Sequence, residues 1–207
     1  MAFLKTWKEK QNGKPLVIKG ARQVGKTWLM KAFGKLYFKN ICYINFDNNK
    51  RMERVFEMDY DCSRIINALQ IESGVEISPK DTLIIFDEVQ EVPKALSSLK
   101  YFNETASEYF IIAAGSLLGV SLHNGISFPV GKVEFLNLYP LNFMEFLEAT
   151  GNKQLSELIV KKEFELMKAF KDKFIEQLKQ YCFVGGMPEA VASFIHSQDF
   201  DEVRHIQ

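Results

Sequence analysis

The sequence predicts an α/β fold, with a mainly parallel five-stranded sheet covered by helices on both faces and a small helical segment after it. Three observations predict this. Short apolar runs alternate with stretches of helical character. Several of those runs, Thr82-Leu-Ile-Ile-Phe86 above all, lack polar alternation, as strands covered on both faces of a parallel sheet do. After Gly151 the chain turns rich in Lys, Glu, Leu and Phe, and residues 153–181 hold no proline or glycine.

Pro15-Leu-Val-Ile-Lys19 reads as a buried strand, residues 20–25 as a loop, and Lys26 to about Leu36 as a helix with Leu29, Met30, Ala32 and Phe33 on one face. Ile41–Phe46 is a second strand. Residues 47–61 are polar, read as helix and loop, and Asp61 can cap a helix to about Glu72 with Ile65, Ile66 and Leu69 inward. Ser78-Pro79 breaks the chain before the Thr82 strand. Pro93 suits a first helical turn. Tyr109–Ala114 is a fourth strand ending at Gly115, and Val133–Leu138 a fifth; residues 119–131 between them, with three glycines and Pro129, are a loop or irregular hairpin. Asn142-Phe-Met-Glu145 reads as a capping box opening a helix to about Thr150. Residues 153–181 read as one or two amphipathic helices, and Pro188 opens another after Gly185-Gly186. These signals place a boundary near 150, giving a first domain over 1–150 and a helical segment over 151–207.

Composition removes whole classes of function. The 207 residues suffice for one substantial domain and a small appendage. Lys+Arg and Asp+Glu both number 26, so the formal net charge is zero and gives no global case for nucleic acid or an anionic membrane; a local basic patch stays open. Cys42, Cys62 and Cys182 form no CxxC pair and their odd number argues against a disulfide framework, which fits a reducing cytosol. His123, His196 and His205 lack metal-ligand spacing. No apolar run approaches the ~18–20 residues of a membrane span, and the N-terminus has no signal-peptide core. A cytoplasmic protein that does not enter the membrane is expected.

Chemistry concentrates in two motifs. Gly20-Ala21-Arg22-Gln23-Val24-Gly25-Lys26-Thr27 fits GxxxxGK[ST] at every fixed position, after a strand and before a helix. Its glycines let successive N–H groups point at phosphate oxygens, and the following helix adds the positive end of its dipole. Lys26 is suited to bridge β- and γ-phosphates and the Thr27 hydroxyl to ligate Mg²⁺. The motif specifies the fold class further, as a P-loop NTPase three-layer sandwich. The second motif is the apolar strand ending in Asp87-Glu88, at the carboxyl edge where open α/β sheets bind ligands. Asp87 is suited to the Mg²⁺ shell and Glu88 to orienting the attacking water. An adjacent Glu favours ATP hydrolysis over a P-loop kinase, whose substrate supplies its own nucleophile. A nucleotide-gated protein- or DNA-binding module with negligible turnover is the other reading.

Weaker candidates keep two readings each. Ser116, after the Ile111–Gly115 run, is either a polar sensor of the γ-phosphate or the cap of the next turn. Trp28, one residue past Thr27, and Trp7 either touch adenine or pack in the core or at an interface. Glu57, Asp59 and Asp61 form an acidic cluster that caps a helix or faces solvent. The Lys-rich face over 161–179 is a solvated helix interleaved with Glu or a nucleic-acid contact.

Five stretches together resemble a prokaryotic family of AAA-type ATPases: residues 14–27, 82–102, 111–120, 128–149 and 185–191. The resemblance implies an additional-strand ATPase domain, with the Ser116 strand between the P-loop strand and the acidic strand. It also implies the roles given above for Asp87, Glu88 and Ser116. Members usually continue into a winged-helix-like segment and a further C-terminal domain, so a chain ending at Gln207 looks like an N-terminal fragment. Many relatives have Gly-Arg before the fifth strand, where this sequence has Gly131-Lys132. With no arginine between Arg64 and Arg204, a finger would come from Arg51, Arg54, Arg64, Arg204, a second copy or a protein partner, and slow turnover is expected of this chain alone.

Overall fold

The computed structural model describes residues 1–10, 13–116 and 131–206. The expected loop or hairpin over 119–131 lies outside them except for Gly131. The chain divides into two compact units, Met1–Leu138 and Tyr139–Gln207.

The first unit opens with α1 (Ala2–Glu9), β1 (Leu16–Gly20), α2 (Lys26–Tyr37) and β2 (Asn40–Asn45). It continues with α3 (Lys50–Met58), α4 (Cys62–Ser73), β3 (Thr82–Asp87), a 3₁₀ turn at Val89–Glu91, α5 (Pro93–Thr105), β4 (Phe110–Gly115) and β5 (Glu134–Leu138). The five strands form one parallel sheet in the order β2-β3-β4-β1-β5. The strand leading to Ser116 thus lies between the P-loop strand and the acidic strand, as the family resemblance implies.

Strand alternation divides the core in two. Cys42, Ile44, Ile84, Phe86, Ile111 and Ala113 face α3, α4 and α5, which contribute Phe56, Leu69, Leu96 and Phe102. Leu16, Ile18, Leu83, Ile85, Ile112 and Ala114 face α1 and α2, which contribute Leu4, Trp7, Met30 and Phe33. Asp87 follows Leu83 and Ile85 at a two-residue step, so strand parity places it on the α2 side. The helix α1 carries no signal that separates it from a polar tail; Leu4 and Trp7, three residues apart, bury its one apolar edge.

Helix ends follow the local chemistry. Asp61 accepts a hydrogen bond from the Arg64 amide at the start of α4, and Pro93 stands in the first turn of α5. Among the described residues no helix is long and apolar enough to cross a membrane.

The second unit holds α6 (Phe143–Ala149), α7 (Lys153–Lys161), α8 (Phe164–Ala169), α9 (Lys171–Val184), α10 (Pro188–Ser197) and α11 (Phe200–Ile206). Asn142 and Glu145 form the expected capping box. The composition break at 150–151 is only the end of α6: Phe146 packs with Val184, Val191 and Phe194, so the compact units divide before this helix, at 138/139. Residues 153–181, expected as one or two helices, fall in three, the last of which runs on to Val184. Lys162 takes the left-handed conformation (φ 55°), and the Lys162 and Glu163 amides bond back to the last turn of α7, ending it without glycine. The apolar residues of α8 and α9, and Phe170 between them, are not all turned inward: Phe164, Leu166, Phe170, Ile175 and Leu178 remain exposed.

Candidate functional site

The loop between β1 and α2 is shaped by two glycines. A Cβ at Gly20 would lie 2.4 Å from the Leu138 carbonyl oxygen on the neighbouring strand, with which Gly20 is in register. Gly25 takes φ 91° at the N-cap of α2, the left-handed region that suits glycine. The helix it opens has no side-chain cap and no acid in its first turn. Its N-terminal N–H groups and the positive end of its dipole are therefore suited to an anion. Ala21, Arg22 and Gln23 are exposed, whereas Val24 is buried.

Gly20→Ala drives a methyl into backbone that is fixed by the β1–β5 ladder. The expected loss is about 1–3 kcal/mol, read from the denaturant midpoint. An unchanged midpoint would show that β5 yields at this point.

Lys26 is buried, with 6% exposure, and its ammonium donates to the carbonyls of Gly20 (3.1 Å) and Ala21 (2.6 Å). Burial lowers its pKa, and the nearby carboxylates of Glu88 and Asp87 partly oppose that shift. On the acidic side, Asp87 ends β3 almost fully buried. Its Oδ2 accepts from the Thr27 hydroxyl (2.6 Å) and the Tyr43 hydroxyl (2.9 Å), and its Oδ1 from the Glu88 amide (3.1 Å). Glu88 takes the left-handed conformation (φ 51°, ψ 43°), costly for a residue with a Cβ. Its Oε2 accepts from Gln90 Nε2 (2.7 Å) and from the Ser116 hydroxyl (3.3 Å). The fold thus brings the P-loop together with Asp87, Glu88 and Ser116.

Tyr43 and Gln90 were not anticipated from the sequence. Tyr43 could have been found by strand parity once β2 is known to pair with β3, since it sits two residues before Asn45, the partner of Asp87. Gln90 had no such signal, because its position depends on the left-handed turn at Glu88.

Among the described residues no group of three or more His, Cys, Asp and Glu side chains could hold a metal. A metal here could take the Thr27 hydroxyl and the Asp87 carboxylate, directly or through water, and draw its other ligands from phosphate and solvent. That all-oxygen set suits Mg²⁺.

Other sequence candidates fall elsewhere. Lys132 pairs with Glu104 at 2.9 Å, just before β5 begins and near the end of α5. This is the amino edge of the sheet, one strand length or about 15 Å from the edge carrying the P-loop. Lys132 therefore has no reach to a phosphate bound on its own P-loop. Trp7 is buried, donates its indole N–H to the Lys14 carbonyl and stacks edge-on with Phe110, so its packing reading holds. Trp28 is 72% exposed on the outside of α2, so it is not a core residue. Asp61 caps α4 and Asp59 pairs with Arg64, whose hydrogen bond lowers the Asp59 pKa. Arg51 pairs with Glu72 and Arg204 with Asp201. The cysteines are free.

None of the curated proteins searched matches this chain. Among solved structures, the chain is similar to the Walker-type ATPase paby2304 of Pyrococcus abyssi (TM-score 0.53, 15% identity), covering 92% of this chain and 65% of that one. It is also similar to a chain of the Drosophila ORC bound to DNA (TM-score 0.51, 15% identity), covering 99% of this chain and 65% of that one. This chain thus spans slightly less than two thirds of either, and at such identity the likeness shows the fold alone. A family model described as an AAA domain matches residues 12–147, more than half the sequence, and with the P-loop at the carboxyl edge of a β2-β3-β4-β1-β5 sheet the chain belongs to the AAA-type P-loop ATPase family.

Proposed function

We propose that this chain binds ATP with Mg²⁺ and hydrolyses it, and that the nucleotide cycle moves an appended domain. The observation that carries this reading is the convergence of Thr27, Asp87, Glu88 and Ser116, from three separate elements and the turns beside them, next to an uncapped helix N-terminus. The phosphates would lie over residues 20–27, where Lys26 would exchange the carbonyls of Gly20 and Ala21 for β- and γ-phosphate oxygens. Thr27 and Asp87 would hold Mg²⁺, which when bound neutralises charge on the phosphates. Glu88 would orient a water in line with the γ-phosphate and take up its proton. Ser116 would turn its hydroxyl to the γ-phosphate, and in doing so release Glu88. A reducing, cytosolic setting suits the three free thiols.

A specific observation favours the second reading, a nucleotide-gated protein- or DNA-binding module with negligible turnover. The Glu88 carboxylate is already held by two donors, and Arg51, Arg64 and Arg204 are each engaged by a carboxylate. Efficient turnover would then need Arg54, the remaining candidate of this chain, or an arginine from a second copy or a protein partner. Phosphate release measured with and without DNA, and in the Lys26→Ala variant, separates the readings. Turnover that requires Lys26 excludes the pure binding module, and consumption of ATP only with an added acceptor would instead identify a kinase.

The exposed Trp28 gives an optical check on the cofactor-binding stretch from Gly20 to Trp28. Trp7 is shielded, so collisional quenching of indole emission reads Trp28 almost alone. ATP or ADP is expected to protect it by packing the base nearby. Quenching that is the same with saturating nucleotide would remove Trp28 from the site.

A further inference from the structure

We propose that Tyr43 is a positioning residue for the metal-side carboxylate, its hydroxyl and that of Thr27 holding Asp87 between two elements in the orientation that Mg²⁺-nucleotide requires. The inference rests on the ATPase reading of the same site.

Asp87 has three hydrogen-bond donors and almost no access to water. Thr27 and Tyr43 donate to the same oxygen, Oδ2, while the Glu88 amide holds Oδ1. A buried carboxylate is costly unless its lone pairs are met. Here one donor comes from the P-loop helix, one from its own backbone, and the third from β2. Thr27 is the donor whose surroundings change when a metal arrives, because its oxygen would then face the ion. Tyr43 is the side-chain donor whose position is independent of the phosphate loop.

The rest of Tyr43 is built to keep that hydroxyl in place. Its ring lies on the α2 side of the sheet, packed with the cluster around Met30, Phe33 and Ile85. Lys31 of α2 holds its ammonium 3.8 Å from the ring centroid, a cation–π contact. Thr27 and Lys31 are four residues apart, so a single face of α2 meets both Asp87 and the aromatic ring that steadies it.

Tyr43→Phe removes the hydroxyl and retains the ring and its contact with Lys31. The measurement is nucleotide affinity with Mg²⁺ and with EDTA, on the wild-type chain and the variant, alongside thermal unfolding without nucleotide. The wild type is expected to bind more tightly with Mg²⁺. In Tyr43→Phe that Mg²⁺ enhancement is expected to fall about 10-fold, the low end of what outer-shell partners of metal sites contribute, while metal-free affinity stays within about twofold. An unchanged enhancement in the variant overturns the role of Tyr43 and leaves the ATPase reading standing, whether or not the variant melts lower. A wild-type chain whose nucleotide affinity ignores Mg²⁺ overturns both. Equal losses with and without Mg²⁺ would make Tyr43 a general structural support and also overturn the proposal.

Discussion

Lys26→Ala is expected to lower ATP affinity about 100-fold while leaving the protein folded. The ammonium would make charge-assisted hydrogen bonds to two phosphates, each contributing about 1.5–3 kcal/mol, and about 1.4 kcal/mol corresponds to a factor of ten. The stability half of the prediction is less intuitive. Lys26 is buried, and burial lowers its pKa below the ordinary lysine value of 10.5. A base with a lowered folded pKa binds fewer protons in the folded chain than in the unfolded one between the two values. Its charge therefore opposes folding in full below the lowered pKa, and the penalty is relieved as pH rises through that value toward 10.5. Removing Lys26 removes that penalty along with its two bonds to the Gly20 and Ala21 carbonyls. The nucleotide-free variant is expected to melt no lower than about 3 °C below wild type. Titration of a fluorescent ATP analogue gives the affinity and calorimetry the melting temperature. Retained affinity would overturn the role of Lys26, whereas a collapse of stability would show that its carbonyl bonds organise the loop.

Much of this site was legible because it depends on local chemistry. Eight consecutive residues specify the phosphate loop, and an apolar strand ending in two acids specifies its partner. Strand parity makes Asp87 face α2, so the pairing of Thr27 with Asp87 follows once both strands share a sheet. The position of β4 was available only through family resemblance, since nothing in Phe110–Gly115 states which neighbours it takes. What was missed depends on tertiary geometry. Tyr43 reads as one more apolar strand residue until β2 is placed beside β3. Gln90 reaches Glu88 because a non-glycine residue adopts a left-handed turn, which no propensity favours. The same physics hid the break at Lys162, so three helices looked like one or two. The placement of Lys132 was likewise not legible, since it follows from the parallel direction of the strands, which puts the residue before β5 at the far edge of the sheet.

Glu88→Gln is expected to reduce hydrolysis about 10²–10⁴-fold, the range that removal of a general base gives, with ATP affinity unchanged within about threefold. The substitution is close to isosteric, and the amide oxygen can still accept from Ser116 and Gln90, which both donate to Glu88 Oε2. The left-handed turn at position 88 is a property of the backbone and should persist, so Asp87 keeps the amide that donates to its Oδ1. What the variant loses is the charge that orients a water and receives its proton. Single-turnover phosphate release at saturating ATP isolates that step from product release. Affinity and rate then divide cleanly between the two halves of the site: Lys26→Ala should weaken binding about 100-fold, whereas Glu88→Gln should trap bound ATP. Hydrolysis that survives the change at Glu88 would move the water-activating role elsewhere. Wild-type turnover no faster than that of Glu88→Gln would instead mean that Glu88 stays held by Ser116 and Gln90 in the isolated chain. In that case the alternative of a nucleotide-gated binding module becomes the better reading of the same geometry.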